Sequence, residues 1–254
     1  ANIFPRYSFD LIYALPKQTL KEWEVELCQA LTHARGHLSL YQLTIEENTA
    51  FHHAYHVGKS FQLPEDSLAA ELYHLTQDIM DAAGLPAYEI SNHASAGNES
   101  RHNLAYWQSD SYFGIGPGAH GRVDIQKGLQ SGQPRGHINQ CVPFDNRLAT
   151  RALKSPERWL DAVSQAGHGV EEELSLSIQE RAEEIILMGL RLPQLGVNLS
   201  HLEPSVMLYL NDLWADGRIE RLVAQGMLLT TQAQLRPTRQ GQLLLNSIIE
   251  KLLN

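Results

Sequence analysis

The apolar positions of this chain change period several times, and each change marks an element. Ser8 to Tyr13 is a short apolar run that closes on a Leu-Pro turn and reads as a buried strand. Thr19 follows, with Glu22 at the reciprocal capping-box position. Leu20, Trp23, Leu27 and Leu31 then recur at helical spacing until Gly36. His37 to Ile45 predicts the next strand. A strand, a helix and a strand within about 35 residues make a right-handed βα crossover unit, which implies parallel pairing. A second helix opens at Pro64, carries Leu68, Leu72, Leu75 and Ile79 on one face and ends at Gly84. Ala87 to Ser91 predicts a third short strand.

The pattern then changes character. Residues 122–150 are polar, lack a period and hold Gly128, Gly132, Pro134, Gly136 and Pro143, so they read as a long loop or linker. Ser155-Pro156-Glu157 starts a helix with proline at its first position. Ser177 and Glu180 form a second capping box, and Ile185, Ile186, Met188, Leu190 and Leu192 are core candidates. From Leu208 to Leu253 the order is helix, two short strands at Leu228–Thr230 and Gln234–Arg236, and a final helix capped by Thr238. The predicted fold class is α/β. Residues 1–121 read as βα-barrel-like, with an open sheet edge that is an association hazard. Residues 122–150 are the linker, and residues 151–254 a mostly helical, winged-helix-like domain.

Composition narrows the function. With 20 Lys and Arg against 29 Asp and Glu, the formal charge of −9 argues against a general nucleic-acid binder. The winged-helix-like tail does not reverse this, because residues 177–254 hold seven basic and eight acidic side chains and so present no excess of cations to phosphates. A lid or a docking module is the better reading of the tail. No apolar run approaches the roughly 20 residues that span a bilayer. No signal peptide is visible, and two cysteines, Cys28 and Cys141, fit a reducing cytoplasm. Of the twelve histidines, His52, His53 and His56 sit in a short polar stretch without acidic or cysteine partners and read as surface residues.

The chemistry concentrates in two adjoining blocks. Arg101-His102-Asn103-Leu104-Ala105-Tyr106-Trp107 places an imidazole, an amide and two amphipathic rings together. Gly114-Ile115-Gly116-Pro117-Gly118-Ala119-His120-Gly121 adds a second histidine on a glycine-rich turn. One imidazole can serve as an axial ligand, and rings can pack on a macrocycle face, so the cluster suits a flat, aromatic, metal-bearing ligand. The competing reading is a strand and turn with Tyr106 and Trp107 filling core. Glu89 and Glu99 with Arg101 read as an ion pair and are given no catalytic role.

Three further blocks add a family resemblance. Asp10-Leu11-Ile12-Tyr13-Ala14-Leu15-Pro16-Lys17-Gln18-Thr19 resembles the DLIYGLPGQT segment of the coproporphyrinogen-dehydrogenase-like radical SAM proteins, with Ala14 and Lys17 standing where that segment has glycine. Leu38 to Glu46 resembles the next strand of that family. Tyr88 to Ala94, followed by Glu99 to Asn103, is similar to its HemW branch, the heme chaperones, and the HNxxYW block at 102–107 separates that branch from the true dehydrogenases. The resemblance implies a partial TIM-like radical SAM barrel with S-adenosylmethionine held by Asp10, Ile12, Tyr41 and Gln42. It places Asp10 at the C-terminal end of a barrel strand, where barrel sites form. It implies heme bound at His102, Asn103, Tyr106 and Trp107, with His102 on the iron, His120 as an alternative ligand and His93 as a third.

The implied function is a cytoplasmic heme chaperone that hands heme to acceptor proteins, its full-length form carrying a [4Fe-4S] cluster and S-adenosylmethionine. The alternatives are an oxygen-independent coproporphyrinogen III dehydrogenase, which would make the protein an enzyme, and a radical enzyme that opens the heme ring. Such a cluster needs three thiolates spaced CxxxCxxC, and this chain offers no cluster cysteines: Cys28 and Cys141 stand far apart. The expectation is a C-terminal fragment of a longer protein.

Overall fold

The computed structural model describes residues 3–57, 62–125 and 146–254. Contacts divide the chain into one unit of Ala1–Arg101 with Leu192–Gln194 and another of His102–Arg191 with Leu195–Asn254. The division falls inside the first domain expected at 1–121.

The first unit begins as the pattern predicts. Strand β1 (Asp10–Tyr13) leads into helix α1 (Leu20–His33), whose Thr19–Glu22 capping box is complete. Strand β2 (His37–Gln42) returns parallel to β1, with Ile12 beside Tyr41 and Tyr13 beside Gln42. A short helix α2 (Ala50–His56) precedes α3 (Asp66–Ala82). Trp23 and Leu27 of α1 and Leu72 and Met80 of α3 bury against Tyr13, Leu38 and Leu40. The buried Trp23 Nε1 donates to Thr76 Oγ1 at 2.8 Å, so the polar atom of this core is satisfied.

The third strand departs from expectation. It is β3 (Asn92–Ala94), not Ala87–Ser91, and it runs antiparallel to β2, with Leu38 opposite His93. The reason lies in Glu89. Its buried carboxylate accepts from Ser91 N at 3.2 Å and from Asn92 Nδ2. Those bonds fold 89–92 into a tight reversal, so Ala87 bridges back to His93 and the reversed limb reaches the β2 edge. Glu89 is thus a turn-former, with its carboxyl raised above the usual range by burial first and lowered in part by the Asn92 bond. Sheet β1-β2-β3 is an open three-stranded sheet.

The second unit holds α4 (Arg101–Trp107), which starts one residue before the division, and an antiparallel sheet of β4 (His120–Ile125), β5 (Asn146–Ala152) and β6 (Val170–Ser175), with α5 (Pro156–Ala166) between the last two. Of the expected linker 122–150, residues 122–125 and 146–150 are therefore strand; residues 126–145, Cys141 among them, lie outside the described residues. The tail runs α6 (Ile178–Gly189), β7 (Val197–Asn198), α7 (Pro204–Leu213), α8 (Arg218–Ala224), β8 (Leu228–Thr230) and β9 (Gln234–Pro237). Strand β9 sits between β7 and β8, which completes the winged-helix order. The expected last helix is two, α9 (Arg239–Leu243), capped by Thr238, and α10 (Leu245–Leu253). Among the described residues no helix is long and apolar enough to cross a membrane.

The turn after β1 carries a testable strain. Ala14 and Lys17 have φ of 58° and 64°, the left-handed region, at the two positions where the resembling segment has glycine. An L side chain there costs roughly 1–2 kcal/mol, and glycine returns roughly 0.5–1 kcal/mol of that as lost chain entropy. Lys17 is exposed, so Lys17→Gly should stabilise the fold by about 0.5–1 kcal/mol in urea unfolding. Ala14 is buried, and Ala14→Gly should gain less because a packed methyl is lost. Destabilisation by Lys17→Gly would overturn the account of this turn.

Candidate functional site

Helix α4 shows how the HNxxYW block is displayed. It replaces the strand and turn with two buried rings: none of its side chains is fully buried, and His102 is exposed. His102 and Tyr106, four residues apart, share a helix face. Their rings meet edge to face with centroids 4.6 Å apart and planes inclined at 66°. Tyr106 in turn stacks on Tyr112, at 4.2 Å and 29°. Asn103 and Trp107 form the next i, i+4 pair, and the Arg191 guanidinium stands 5.6 Å from the Trp107 ring centroid. An exposed imidazole held against one aromatic edge can offer a nitrogen to an iron porphyrin, with rings nearby for its apolar plane.

Trp107 also borders a cavity of about 810 Å³ within the second unit, lined further by Asp110, Asp124, Arg147, Arg181 and Glu203. Its charges are largely paired. Arg147 Nη1 donates to Asp124 at 3.0 and 3.1 Å, and Arg181 bonds Glu203. Burial raises the Asp110 carboxyl above its usual range, with Arg147 pulling it back in part.

The glycine-rich turn is built for closure upon itself. Tyr112 and Arg122 exchange both backbone bonds, 2.7 and 2.9 Å. A Cβ on Gly114 would stand 2.3 Å from the His120 carbonyl oxygen, and one on Gly121 would stand 2.5 Å from Thr150 Oγ1. These two glycines are needed for backbone packing rather than for approach to a ligand. The turn leaves Phe113 74% and Ile115 86% exposed. His120 opens β4, is exposed, and borders a groove of about 560 Å³ with Arg122, Arg151, Leu174 and Leu187.

His93 is a different case. It is enclosed in β3 at 1% exposure, beneath α3, where Gln77 Nε2 donates to its Nε2 at 3.3 Å. Its Nδ1 is buried with no hydrogen-bond partner among the described residues. Burial pushes its pKa down to about 4. The third candidate ligand is thereby corrected: a ring packed inside the core of the first unit gives no approach to a porphyrin.

The residues carried over for S-adenosylmethionine divide. Asp10 is the first residue of β1, not the last, so it does not stand at the C-terminal end of its strand; that end is Tyr13. The ladder enters at Phe9, whose carbonyl accepts from Ser39 N at 2.9 Å, which is why Asp10 falls at the beginning. Asp10, Ile12 and Tyr41 nonetheless share one sheet face, opposite the face that α1 and α3 cover. Gln42 has the other parity and lies exposed at the end of β2. Sequence reasoning missed Tyr112, Arg122 and Arg191. Their partners lie on other elements, and Tyr112 itself falls in the unmarked stretch 108–113 between the two marked blocks.

Comparison with known proteins agrees along most of the chain. Residues 176–244 match the family described as the HemN C-terminal domain. The chain is 37% identical over 255 residues to radical S-adenosyl methionine domain-containing protein 1, mitochondrial, of Mus musculus, covering 99% of this chain and 54% of that protein. It is 30% identical to heme chaperone HemW of Bacillus subtilis, over 96% of this chain and 58% of that one, and 29% identical to heme chaperone HemW of Escherichia coli, over 96% and 57%. The chain thus spans about half the length of these curated relatives. Its fold is similar to that of coproporphyrinogen III oxidase (HemN) from Escherichia coli, a radical SAM enzyme, with a TM-score of 0.65 at 16% identity over 96% of this chain and 54% of that one.

The buried imidazole makes stability depend on pH. Below pH 6.5 the unfolded His93 takes up a proton that the folded ring refuses until about pH 4. Stability therefore falls as pH drops through that window and is level with respect to this group above it, by about 3 kcal/mol in total. The partly buried His37, also lowered chiefly by burial, adds a slope of the same sign. Urea unfolding at pH 7, 5.5 and 4.5 should show a shallower loss in His93→Gln than in the unaltered protein; equal slopes would mean that His93 is protonated in the fold.

Proposed function

We propose, on the premise that the chain belongs to the HemN family of radical SAM proteins and is of the HemW type, that the protein holds heme as a cargo and passes it to acceptor proteins. The observation that carries the reading is α4, where the HNxxYW block displays an exposed imidazole braced by an aromatic edge. In this reading His102 ligates the iron, Tyr106 sets the tilt of the imidazole, and Trp107 offers a flat apolar surface. Asn103 orients the imidazole or caps the turn. His120, on its own groove, is the second-choice ligand. Exposure of the imidazole suits a cargo site, because a ligand that must leave cannot be walled in.

S-adenosylmethionine belongs to the sheet face of Asp10, Ile12 and Tyr41, with Gln42 at the strand end. A cluster-bound S-adenosylmethionine would supply radical chemistry to the whole protein. The residues present do not fit a [4Fe-4S] cluster, since two cysteines cannot provide three thiolates, and no step is derived through one. A reducing compartment, the cytoplasm in this proposal, agrees with the free Cys28 thiol.

Hemin titration followed in the Soret region tests the assignment. His102→Ala should weaken binding about tenfold or more, which corresponds to about 1.4 kcal/mol, and should shift the band. His120→Ala should have a smaller effect. An unchanged band and affinity in the His102 variant would remove α4 as the ligand helix. Turnover of coproporphyrinogen III by the whole protein at the rate of a genuine dehydrogenase would replace the chaperone reading with an enzymatic one.

A further inference from the structure

We infer that Tyr112, which lies outside the HNxxYW block, is a positioning residue of the heme site: it fixes the plane of Tyr106 and, through it, the orientation of the His102 ring. The inference rests on the heme reading of α4. A helix of seven residues is not stable by itself, and this one buries none of its side chains fully. The orientation of its ligand face must therefore come from outside the helix.

The supports can be followed atom by atom. Glu184 on α6 accepts from Arg122 Nε at 3.0 and 3.1 Å, a two-oxygen contact that holds the guanidinium in one plane. The Arg122 backbone is joined to Tyr112 by bonds of 2.7 and 2.9 Å, so the Tyr112 backbone cannot swing. The Tyr112 ring then stacks on Tyr106, and Tyr106 presents its edge contact to His102. Burial raises the Tyr112 hydroxyl above its usual range, so the ring stays neutral through physiological pH. The series runs from helix α6 to a solvent-exposed imidazole through one aromatic stack. Without the stack Tyr106 regains its rotamers, and the imidazole must be ordered when heme binds.

The contact itself is ring on ring, and the hydroxyl is not part of it. Tyr112→Phe should therefore bind hemin as the unaltered protein does. Tyr112→Leu should bind about 3- to 10-fold more weakly, the range of an aromatic pair, with a broadened ferric EPR signal as the imidazole samples several orientations. Far-ultraviolet circular dichroism checks that the variants fold, and Tyr112→Met replaces the leucine variant if that one does not. A Tyr106→Leu/Tyr112→Leu pair should lose no more affinity than Tyr106→Leu alone, because Tyr112 acts through Tyr106.

Folded Tyr112→Leu or Tyr112→Met with unaltered affinity and line width, alongside a His102→Ala variant that loses binding, overturns the positioning role and leaves the heme reading standing. Unaltered hemin binding in His102→Ala overturns the heme reading, and the role of Tyr112 with it.

Discussion

Two backbone hydrogen bonds between Tyr112 and Arg122 hold the candidate site in place. They close a nine-residue excursion upon itself, and each side chain of the pair then reaches a different neighbour. The Tyr112 ring goes to α4 and the Arg122 guanidinium to Glu184 of α6. Closing such a loop restricts many backbone torsions, and the restriction is tolerable only where the backbone can pack tightly. Glycine at 114 and 121 is what lets it do so, since a β-carbon at either place would overlap a neighbouring atom. The glycine-rich run thus serves the site at one remove: it makes the closure possible, and the closure supports the helix that carries the histidine.

The first unit obeys a different constraint, the disposal of polar atoms in an apolar layer. Trp23 and Thr76 satisfy one another between α1 and α3, and the Thr76 hydroxyl donates onward to the Leu72 carbonyl at 2.7 Å. Tyr13 stacks on Trp23, and burial raises its hydroxyl well above the usual range. Glu89 finds its donors in the adjacent backbone and in Asn92, and by doing so reverses the chain. With these groups accounted for on the helix-covered side, the opposite face of the sheet keeps Asp10, Ile12 and Tyr41 exposed.

The three candidate histidines illustrate how far environment, rather than residue type, decides chemistry. His93 lies in a layer that removes water and favours the neutral ring, which suits packing and excludes exchange. His102 keeps solvent access and gains a single aromatic contact. His120 is exposed on a strand end beside a groove with charged walls. A cargo site needs the middle condition, restrained enough to select an orientation and open enough to release.

Much of the fold was legible in the sequence because it rests on local rules. The capping boxes at Thr19 and Ser177, the amphipathic faces of α1 and α3 and the two strands of the wing depend on neighbours within a few residues, and periodicity reports those directly. The HNxxYW block was legible for the same reason, as a contiguous run of residue types. What the sequence did not determine depends on partners far along the chain or on the demands of burial. Glu89 was read as one side of an ion pair, yet enclosure made it a turn. Asp10 was placed at a strand end, yet the ladder starts there because Phe9 meets Ser39. His93 and His102 are the same residue in the same family block, and only the packing of Leu38, Gln77 and their layer shut one away. Tyr112 carried no period and no motif. Its part was decided when tertiary closure brought its ring 4.2 Å from Tyr106, because stacking is a short-range interaction between surfaces that sequence spacing alone cannot bring together.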